Sequence, residues 1–236
     1  MNLIAAESEY GDMMIKGLFQ YQFFGHTVYI TTTQVTLLVV SILILIFCIL
    51  AHHRMKHPSE VPGTFQNIVE LIVEKLGSMT EASMHSFAGT FFKDFTGALF
   101  LFIIVCNLTG LIGLRPPTAD YGVTLPLGLL AFFMIQINGI RVKKWGHFKG
   151  LAEPLPLLLP SNLIGEISVP ISLSLRLFGN ILSGTMIMAL WYAMIPALAK
   201  VIVSPFLHAY LDVFAGCIQA YVFTMLTMTY MTDKME

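Results

Sequence analysis

Long apolar runs alternate with short polar and charged segments along this chain. Three of the runs are close to the length of a membrane span, and they cover positions 33–51, 95–114 and 121–140. A helix needs about 20 mainly apolar residues to cross the hydrocarbon core of a bilayer. Each of these runs therefore predicts one membrane-spanning helix.

Two longer apolar runs fill the C-terminal third, at 161–194 and 204–231. As helices they would extend roughly 50 Å and 40 Å, whereas the hydrocarbon core is about 30 Å thick. We therefore expect a hairpin of two long helices that tilt strongly or bend. The prolines just before this region predict a helix start near Ser161, and Pro170 is a candidate bend. Pro205 is expected in the first turn of the last helix.

Residues 60–88 show a different pattern, in which charged positions interrupt the apolar ones at helical spacing. Glu70, Glu74, Lys75 and Glu81 alternate with apolar residues that share one side of a helix. The apolar stretches are too short to span a bilayer, and such a pattern is typical of a helix lying in the membrane interface. We predict an interfacial amphipathic helix on the cytoplasmic face.

Composition indicates the class of protein, and the distribution of charge indicates its orientation in the membrane. Hydrophobic residues make up 56% of the chain and charged residues 11%, against about 25% charged in ordinary soluble domains. Basic clusters follow the first and third spans, at 52–57 and 141–149, and such clusters mark cytoplasmic loops. The sequence predicts an all-α polytopic membrane protein with about five membrane-embedded helices and one interfacial helix. Residues 1–32 would be extracytoplasmic, and the C-terminus cytoplasmic.

One arginine stands inside the first long run. Arg176 is the only charged residue between Glu166 and Lys200. A guanidinium cannot be neutralised by losing a proton, and placing it at mid-membrane costs about 2.5–3.5 kcal/mol on insertion scales. Ser172, Asn180 and Ser183 share its helix face. We interpret this polar stripe as functional.

The last helix has a polar stripe of its own. His208, Asp212 and Gln219 are separated by four and seven residues and share a face. We expect the stripes of the two antiparallel helices to face each other and enclose an aqueous path. Titratable groups can relay a proton, whereas the permanently charged Arg176 can instead attract a carboxylate. No mobile carboxylate of that kind is evident in this chain, so another subunit is expected to provide it.

The two stripes lie in recognisable motifs. The segments 172–180, SLSLRLFGN, and 218–230, IQAYVFTMLTMTY, together with 120–126, DYGVTLP, resemble subunit a of F-type ATP synthases, the bacterial and chloroplast forms most closely. The resemblance implies a stator subunit whose two long tilted helices lie against a rotating ring of c subunits. Arg176 would then meet the ion-binding carboxylate of the ring, flanked by Asn180 and Gln219.

The resemblance also assigns the ion path. Asp212 takes a position that the family fills with a carboxylate or histidine, and it would belong to the extracytoplasmic half-channel. Glu166, ten residues before the arginine, is similarly expected to line an ion path. Thr185 departs from the family, in which Glu or His is frequent at that position, and Asp212 could supply the missing acid. His208 matches no family position and is a weaker candidate.

Partners and energetics follow from the same resemblance. It implies a c-subunit ring, peripheral-stalk b subunits, the remaining F1Fo complex and the lipid bilayer of a bacterial plasma membrane, with no nucleic-acid partner. Ion flow through two half-channels, separated by Arg176, would turn the ring. The coupling ion would be the proton, with sodium as the alternative. The chain lacks the G-x-x-x-x-G-K-[ST] nucleotide motif, so we expect no catalytic residue, cofactor or metal here.

Two other functions stay open from the residues alone. A self-contained secondary transporter would use Asp212 and Arg176 as a coupled site, but the inverted repeats typical of that class are not evident. A membrane scaffold would use the polar residues only for helix packing, and it predicts that neutral replacements of Arg176 are tolerated.

Overall fold

Five long apolar helices dominate the architecture. The computed structural model describes residues 17–23, 26–56, 63–87, 89–144, 146 and 159–236. Within them, five helices are long and apolar enough to cross a membrane, at Thr32–Met55, Thr90–Ile112, Tyr121–Lys143, Leu159–Met194 and Lys200–Met235. The predicted all-α polytopic class is thereby confirmed. The N-terminal acids before Gly17, His57 of the first basic cluster and most of residues 145–158 lie outside the described residues.

A short β-hairpin precedes the first span, where the sequence analysis predicted no secondary structure. Strands β1 (Gly17–Phe23) and β2 (His26–Thr31) pair antiparallel. Helix α1 (Thr32–Met55) follows directly. The Thr31 hydroxyl accepts a hydrogen bond from the backbone N–H of Gln34, and the side-chain oxygen of Gln34 accepts one from the backbone N–H of Thr31. This reciprocal pair satisfies two N–H groups at the helix start.

The amphipathic segment forms α2 (Thr64–Met84), followed by one 3₁₀ turn. Its Val69, Thr80 and Met84 are buried, whereas Leu71 and Val73 are exposed. An ion pair from Lys93 of the next helix to Glu81 joins the two helices near their junction. The helix therefore packs along one face only, as its sequence pattern predicts.

The second and third spans are α3 (Thr90–Leu108) and α4 (Tyr121–Lys143), joined by two 3₁₀ turns and a short loop. The Gly122 backbone amide donates to Asp120 Oδ1 at 2.9 Å. This N-cap bond satisfies one of the donors that every helix start leaves unpaired, and it explains why α4 begins at Tyr121 as predicted.

The long C-terminal hairpin differs from the prediction in two details. Helix α5 (Leu159–Met194) starts ahead of the expected Ser161, because Pro160 lies in its first turn, where a missing N–H costs nothing. The α5 helix passes Pro170 as one continuous element. The prediction for Pro205 is wrong: helix α6 (Ala197–His208) starts after Pro196, and Pro205 lies well inside it.

The last apolar run is not a single regular α-helix. A π-helical turn, Ala209–Phe214, separates α6 from α7 (Ala215–Met235). Such turns carry one residue more than an α-helical turn and frequently mark functional sites. Here the turn contains Asp212, one of the predicted site residues.

Four helices form the apolar core. Side chains of α3, α4, α5 and α7 meet in one cluster: Leu99, Ile103, Ala131, Leu173, Leu177, Ala220 and Phe223. A second cluster joins α2 to α4 and the end of α7 through Met84, Ile135, Met228, Met231 and Met235. The buried face of α5 is thus mainly apolar, Ser174 excepted, which leaves its other polar positions for the opposite face.

Gly128 of α4 allows that helix to approach α5 closely. A Cβ at this position would lie 2.7 Å from the carbonyl oxygen of Pro170 and 3.1 Å from Ser174 Cβ. Because overpacking typically costs about 1–3 kcal/mol, we expect Gly128→Ala to lower the free energy of unfolding by that amount. Thermal unfolding in detergent measures the change. Gly165→Ala is the control, since its Cβ would meet nothing within 4 Å, and equal melting of both variants would contradict this account.

Candidate functional site

Arg176 lies at the surface of the chain. It is exposed on α5, and among the described residues no hydrogen-bond or ion-pair partner reaches its guanidinium. Its exposed neighbours along the helix, Ile171 and Leu175, are apolar. An unpaired guanidinium on an apolar helix is costly in a membrane, so the site is incomplete within this chain.

The polar stripe of α5 faces away from the helix bundle. Ser172 and Ser183 are exposed and Asn180 is half-buried, whereas Leu173, Leu177 and Ile181 on the other side are buried. This corrects the expectation that the two polar stripes face each other, because the apolar side of α5 makes the contacts with α4 and α7. The Arg176 surface is therefore available to lipid or to another chain.

Gln219 has the opposite environment. The residue is 7% exposed on α7, and its Nε2 has no hydrogen-bond acceptor among the described residues. A buried donor left unpaired costs about 1–3 kcal/mol. The amide therefore suits a position where an internal water molecule supplies an acceptor.

Asp212 belongs to a short hydrogen-bonded chain. Its Oδ2 lies 2.5 Å from His208 Nδ1, and His208 Nε2 lies 3.0 Å from the Tyr192 hydroxyl. His208 belongs to α6 and Asp212 to the π-helical turn. Tyr192 comes from the end of α5, on the other side of the chain reversal at Pro196. The sequence analysis placed His208 and Asp212 on one face but did not identify Tyr192.

The three side chains of Tyr192, His208 and Asp212 line a cavity of about 860 Å³. Thr185 and Asp212 both line this cavity. The carboxylate of Asp212 therefore lies in the same cavity as Thr185, the position at which the family frequently has Glu or His. Two cations, Arg115 and Lys200, also line the cavity. The space is large enough for many waters, and its polar walls fit an aqueous path.

Asn107 of α3 binds the first turn of α7, directly after the π-helical turn. Its Nδ2 donates to the Gly216 carbonyl at 3.0 Å, and its Oδ1 accepts from the Thr118 hydroxyl at 2.8 Å. Both side chains are buried, and buried amides of this kind are costly to leave unpaired. Gly110, on the same loop side, approaches the Asp212 carboxyl group. Sequence reasoning missed Asn107, although an amide inside an apolar span is a usable signal.

Glu166 lies in a separate polar cluster. Gln136 Nε2 donates to Glu166 Oε2 at 2.5 Å, and Lys234 Nζ pairs with Oε1. These partners come from α4 and from the last turn of α7, so Glu166 shares no cluster with Asp212. Within the described ranges, no group of three or more His, Cys, Asp or Glu could hold a metal ion.

Comparisons with known proteins agree over nearly the whole chain. Residues 34–232 match the sequence model of a family described as ATP synthase A chain. ATP synthase subunit a of Moorella thermoacetica is 34% identical over 206 residues, covering 86% of this chain and 90% of that protein. A second relative, ATP synthase subunit a 2 of Syntrophotalea carbinolica, is 34% identical over 92% of this chain and 88% of its own length.

A third relative carries an ion assignment in its name. ATP synthase subunit a, sodium ion specific, of Propionigenium modestum is 34% identical over 224 residues, which is 88% of this chain and 74% of that protein. Its identity is the same as that of the two relatives above, whose names specify no ion. Similarity alone therefore does not identify the coupling ion of this chain.

Proposed function

Because this chain belongs to the ATP synthase A chain family, we propose that it forms two aqueous half-channels that load and unload the carboxylates of a c-subunit ring. As a member of that family it is a multi-pass membrane protein of the ion-translocating Fo sector. The subunit itself is not catalytic, and the enzyme is the whole complex.

The unpaired Arg176 carries the proposal. Its guanidinium is exposed on the outward-facing stripe of α5, and the described residues provide it with no partner. A carboxylate on a neighbouring ring would supply the missing countercharge. Since arginine keeps its charge, it would attract each arriving carboxylate, make it release its ion and keep the two half-channels from joining.

The Asp212 cavity would be the half-channel open to the extracytoplasmic side. Asp212, His208 and Thr185 line it together, and the carboxylate can accept and pass on an ion. Each elementary charge that crosses the membrane yields about 2.3 kcal/mol per 100 mV. That energy would turn the ring and drive ATP synthesis in the soluble head.

Asn180 would serve the surface where this chain and the ring meet, and Gln219 would support that surface from inside the helix bundle. Asn180 lies one helical turn from Arg176 and is half-buried, whereas Gln219 is buried with an unpaired Nε2. The Asn180 amide can hydrogen-bond to water or to a carboxylate at that surface. Glu166 would lie at the cytoplasmic outlet, where Lys234 and Gln136 hold it.

Purification tests the assembly directly. In a bacterial plasma membrane, with the N-terminus outside and the C-terminus in the cytoplasm, the chain would assemble with the ring, the b subunits and the soluble ATPase head. An affinity tag on the chain should therefore recover all of them from mild detergent. Recovery of the chain alone, in a form that transports ions without a ring, would instead support a secondary transporter.

Replacing Glu166 by glutamine should have a small effect. The amide can still accept from Gln136, and Lys234 is partly exposed, so water can solvate its charge. Since such ion pairs are worth about 0.2–1 kcal/mol, we expect no more than an about five-fold loss of ion-driven ATP synthesis. Glu74→Gln, at an exposed position of α2, is the matched control. A loss as deep as that of an Asp212 variant would show that Glu166 itself carries the ion.

A further inference from the structure

We propose that Tyr192, His208 and Asp212 form a proton relay, in which Tyr192 holds the imidazole in the protonation state that delivers a proton to Asp212. The relay makes the proton the ion that this cavity admits. The inference rests on the proposed function of the cavity as the extracytoplasmic half-channel. It adds His208 as the proton carrier and Tyr192 as the residue that orients the imidazole and passes the proton to it.

The order of burial matches the direction of the relay. Tyr192 is 42% exposed, and the side chains of His208 and Asp212 are 31% and 13% exposed. The two hydrogen bonds, 3.0 Å and 2.5 Å, connect them in the same order. A proton taken from cavity water at Tyr192 would thus move step by step towards the least accessible group.

Hydrogen-bond chemistry assigns the donors. An ionised Asp212 can only accept, so Nδ1 of a neutral His208 must carry the proton that it donates to Oδ2. The Nε2 atom then has a free lone pair and accepts from the Tyr192 hydroxyl. Without that hydroxyl, the imidazole could turn or adopt the other tautomer, and the carboxylate would lose its donor.

The transfer balances without a further reactant. A hydronium ion in the cavity gives a proton to the phenol oxygen and is left as water, while the Tyr192 O–H proton passes to His208 Nε2 and the Nδ1 proton passes to Asp212. Tyrosine and histidine each end with the same number of protons, and Asp212 becomes a neutral carboxylic acid. The imidazole returns to its starting tautomer when Nε2 gives its proton to cavity water and Nδ1 takes one up.

The place of His208 in the middle of this series favours a proton over sodium. A hard cation prefers several oxygen ligands, whereas both nitrogens of His208 are committed to hydrogen bonds here. The charged and titratable groups around His208 in this cavity are Asp212, Tyr192, Lys200 and Arg115.

Chemical rescue tests the carrier. In proteoliposomes holding the whole complex, ATP synthesis is driven by a potassium diffusion potential at equal pH on both sides, so that added imidazole cannot collapse a pH gradient. Positioned proton transfer contributes about 10²–10⁴-fold in enzymes, and cavity water can replace part of it, so we expect His208→Ala to lose about ten-fold. Added imidazole should restore at least half of the loss, because the cavity has room for it.

Two controls make the rescue specific. Imidazole should leave the wild type and Asp212→Asn unchanged, since neither lacks a carrier that imidazole can replace. His85→Ala, at an exposed histidine beside α2, should synthesise ATP at the wild-type rate. An assembled His208→Ala complex that keeps full activity, or that imidazole fails to rescue, would overturn the relay.

Tyr192→Phe tests the positioning role. The variant keeps the ring but loses the hydroxyl, so the relay should need a higher proton concentration at the inlet. At a fixed membrane potential, we expect half-maximal synthesis at a lower pH of the inlet compartment, with a maximal rate close to that of the wild type. Tyr210→Phe, which keeps its stacking on Phe214, should not move the profile. An unmoved Tyr192→Phe profile would remove Tyr192 from the relay.

A sodium gradient separates the ion question from the wider proposal. At equal pH and with no added potential, a sodium gradient should drive no synthesis in the wild type. Synthesis under that gradient, equal in the wild type and His208→Ala, would overturn the proton relay. In that case Arg176→Ala would still test the proposed stator function, so the proton relay and the stator function can be contradicted independently. This wild-type measurement also decides the matter if His208→Ala does not assemble.

Discussion

Replacing Arg176 by alanine is expected to abolish ion-driven ATP synthesis in a complex that still assembles. Removing one partner of a desolvated charge pair costs about 3–5 kcal/mol, which corresponds to a loss of more than about 100-fold in rate. The side chain is exposed and has no hydrogen-bond or ion-pair partner among the described residues. Its loss should therefore leave the fold of this chain intact while the ring carboxylate loses its countercharge.

A second readout of the same variant follows from the sealing role. Without the fixed positive charge between the half-channels, passive ion leak through vesicles stripped of the soluble head should rise. Arg141→Ala is the matched control, because Arg141 is an exposed cation in the last turn of α4, and it should change neither synthesis nor leak. If an assembled Arg176→Ala complex made ATP at the wild-type rate, Arg176 would have only a packing role and the stator proposal would be contradicted.

Asp212→Asn is expected to lower ion-driven synthesis by about 100-fold or more, since an amide cannot take up the ion and proton transfer by a positioned group contributes about 10²–10⁴-fold. The asparagine oxygen can still accept from His208 Nδ1, so the local geometry should survive. Leak should stay at the wild-type level because Arg176 is untouched. ATP synthesis and ATP-driven proton pumping in the same vesicles measure both effects.

The control for this variant is Asp94→Asn, at an exposed acid of α3. It removes the same charge outside the cavity and should leave the rate unchanged. If Asp212→Asn made ATP normally, the cavity beside Thr185 would not be the half-channel, and the ion would have to reach the ring by another route.

The spans could be predicted from the sequence because length and hydropathy constrain them strongly. Every backbone group of a membrane span must be satisfied within the segment, so a long apolar run has few alternatives to a helix. The start of α4 was predictable for a local reason, the Asp120 cap. Pro205 was misplaced because a proline signals a break only on average, and neighbouring groups in membranes can compensate for the missing N–H.

Helical spacing predicted which residues share a face, but not where that face points. Arg176 and Asn180 do lie on one stripe, yet the apolar side of α5 packs into the bundle and turns the stripe outward. In the last helix the π-helical turn inserts a residue between His208 and Gln219, which rotates the following face by about 100°. Asp212 accordingly lines the cavity while Gln219 is buried elsewhere.

Contacts between distant residues had no local signal. Glu166 and Lys234 are 68 residues apart in the chain, and Asn107 reaches Gly216 across 109 residues. Tyr192 and His208 meet only because the chain reverses at Pro196. Each of these pairs depends on how helices pack, which single-sequence periodicity does not encode.

Cross-linking tests most directly whether the Arg176 surface faces the ring. In a chain whose Cys48, Cys106 and Cys217 are replaced by alanine, Ser183→Cys adds a thiol on the exposed stripe of α5. Ser41→Cys adds one at an exposed position of α1. Disulfides need Cα atoms within about 7 Å, so oxidation should link only Ser183→Cys to a cysteine placed one turn from the ring carboxylate. A link to Ser41→Cys instead, or to neither, would contradict an Arg176 surface that faces the ring.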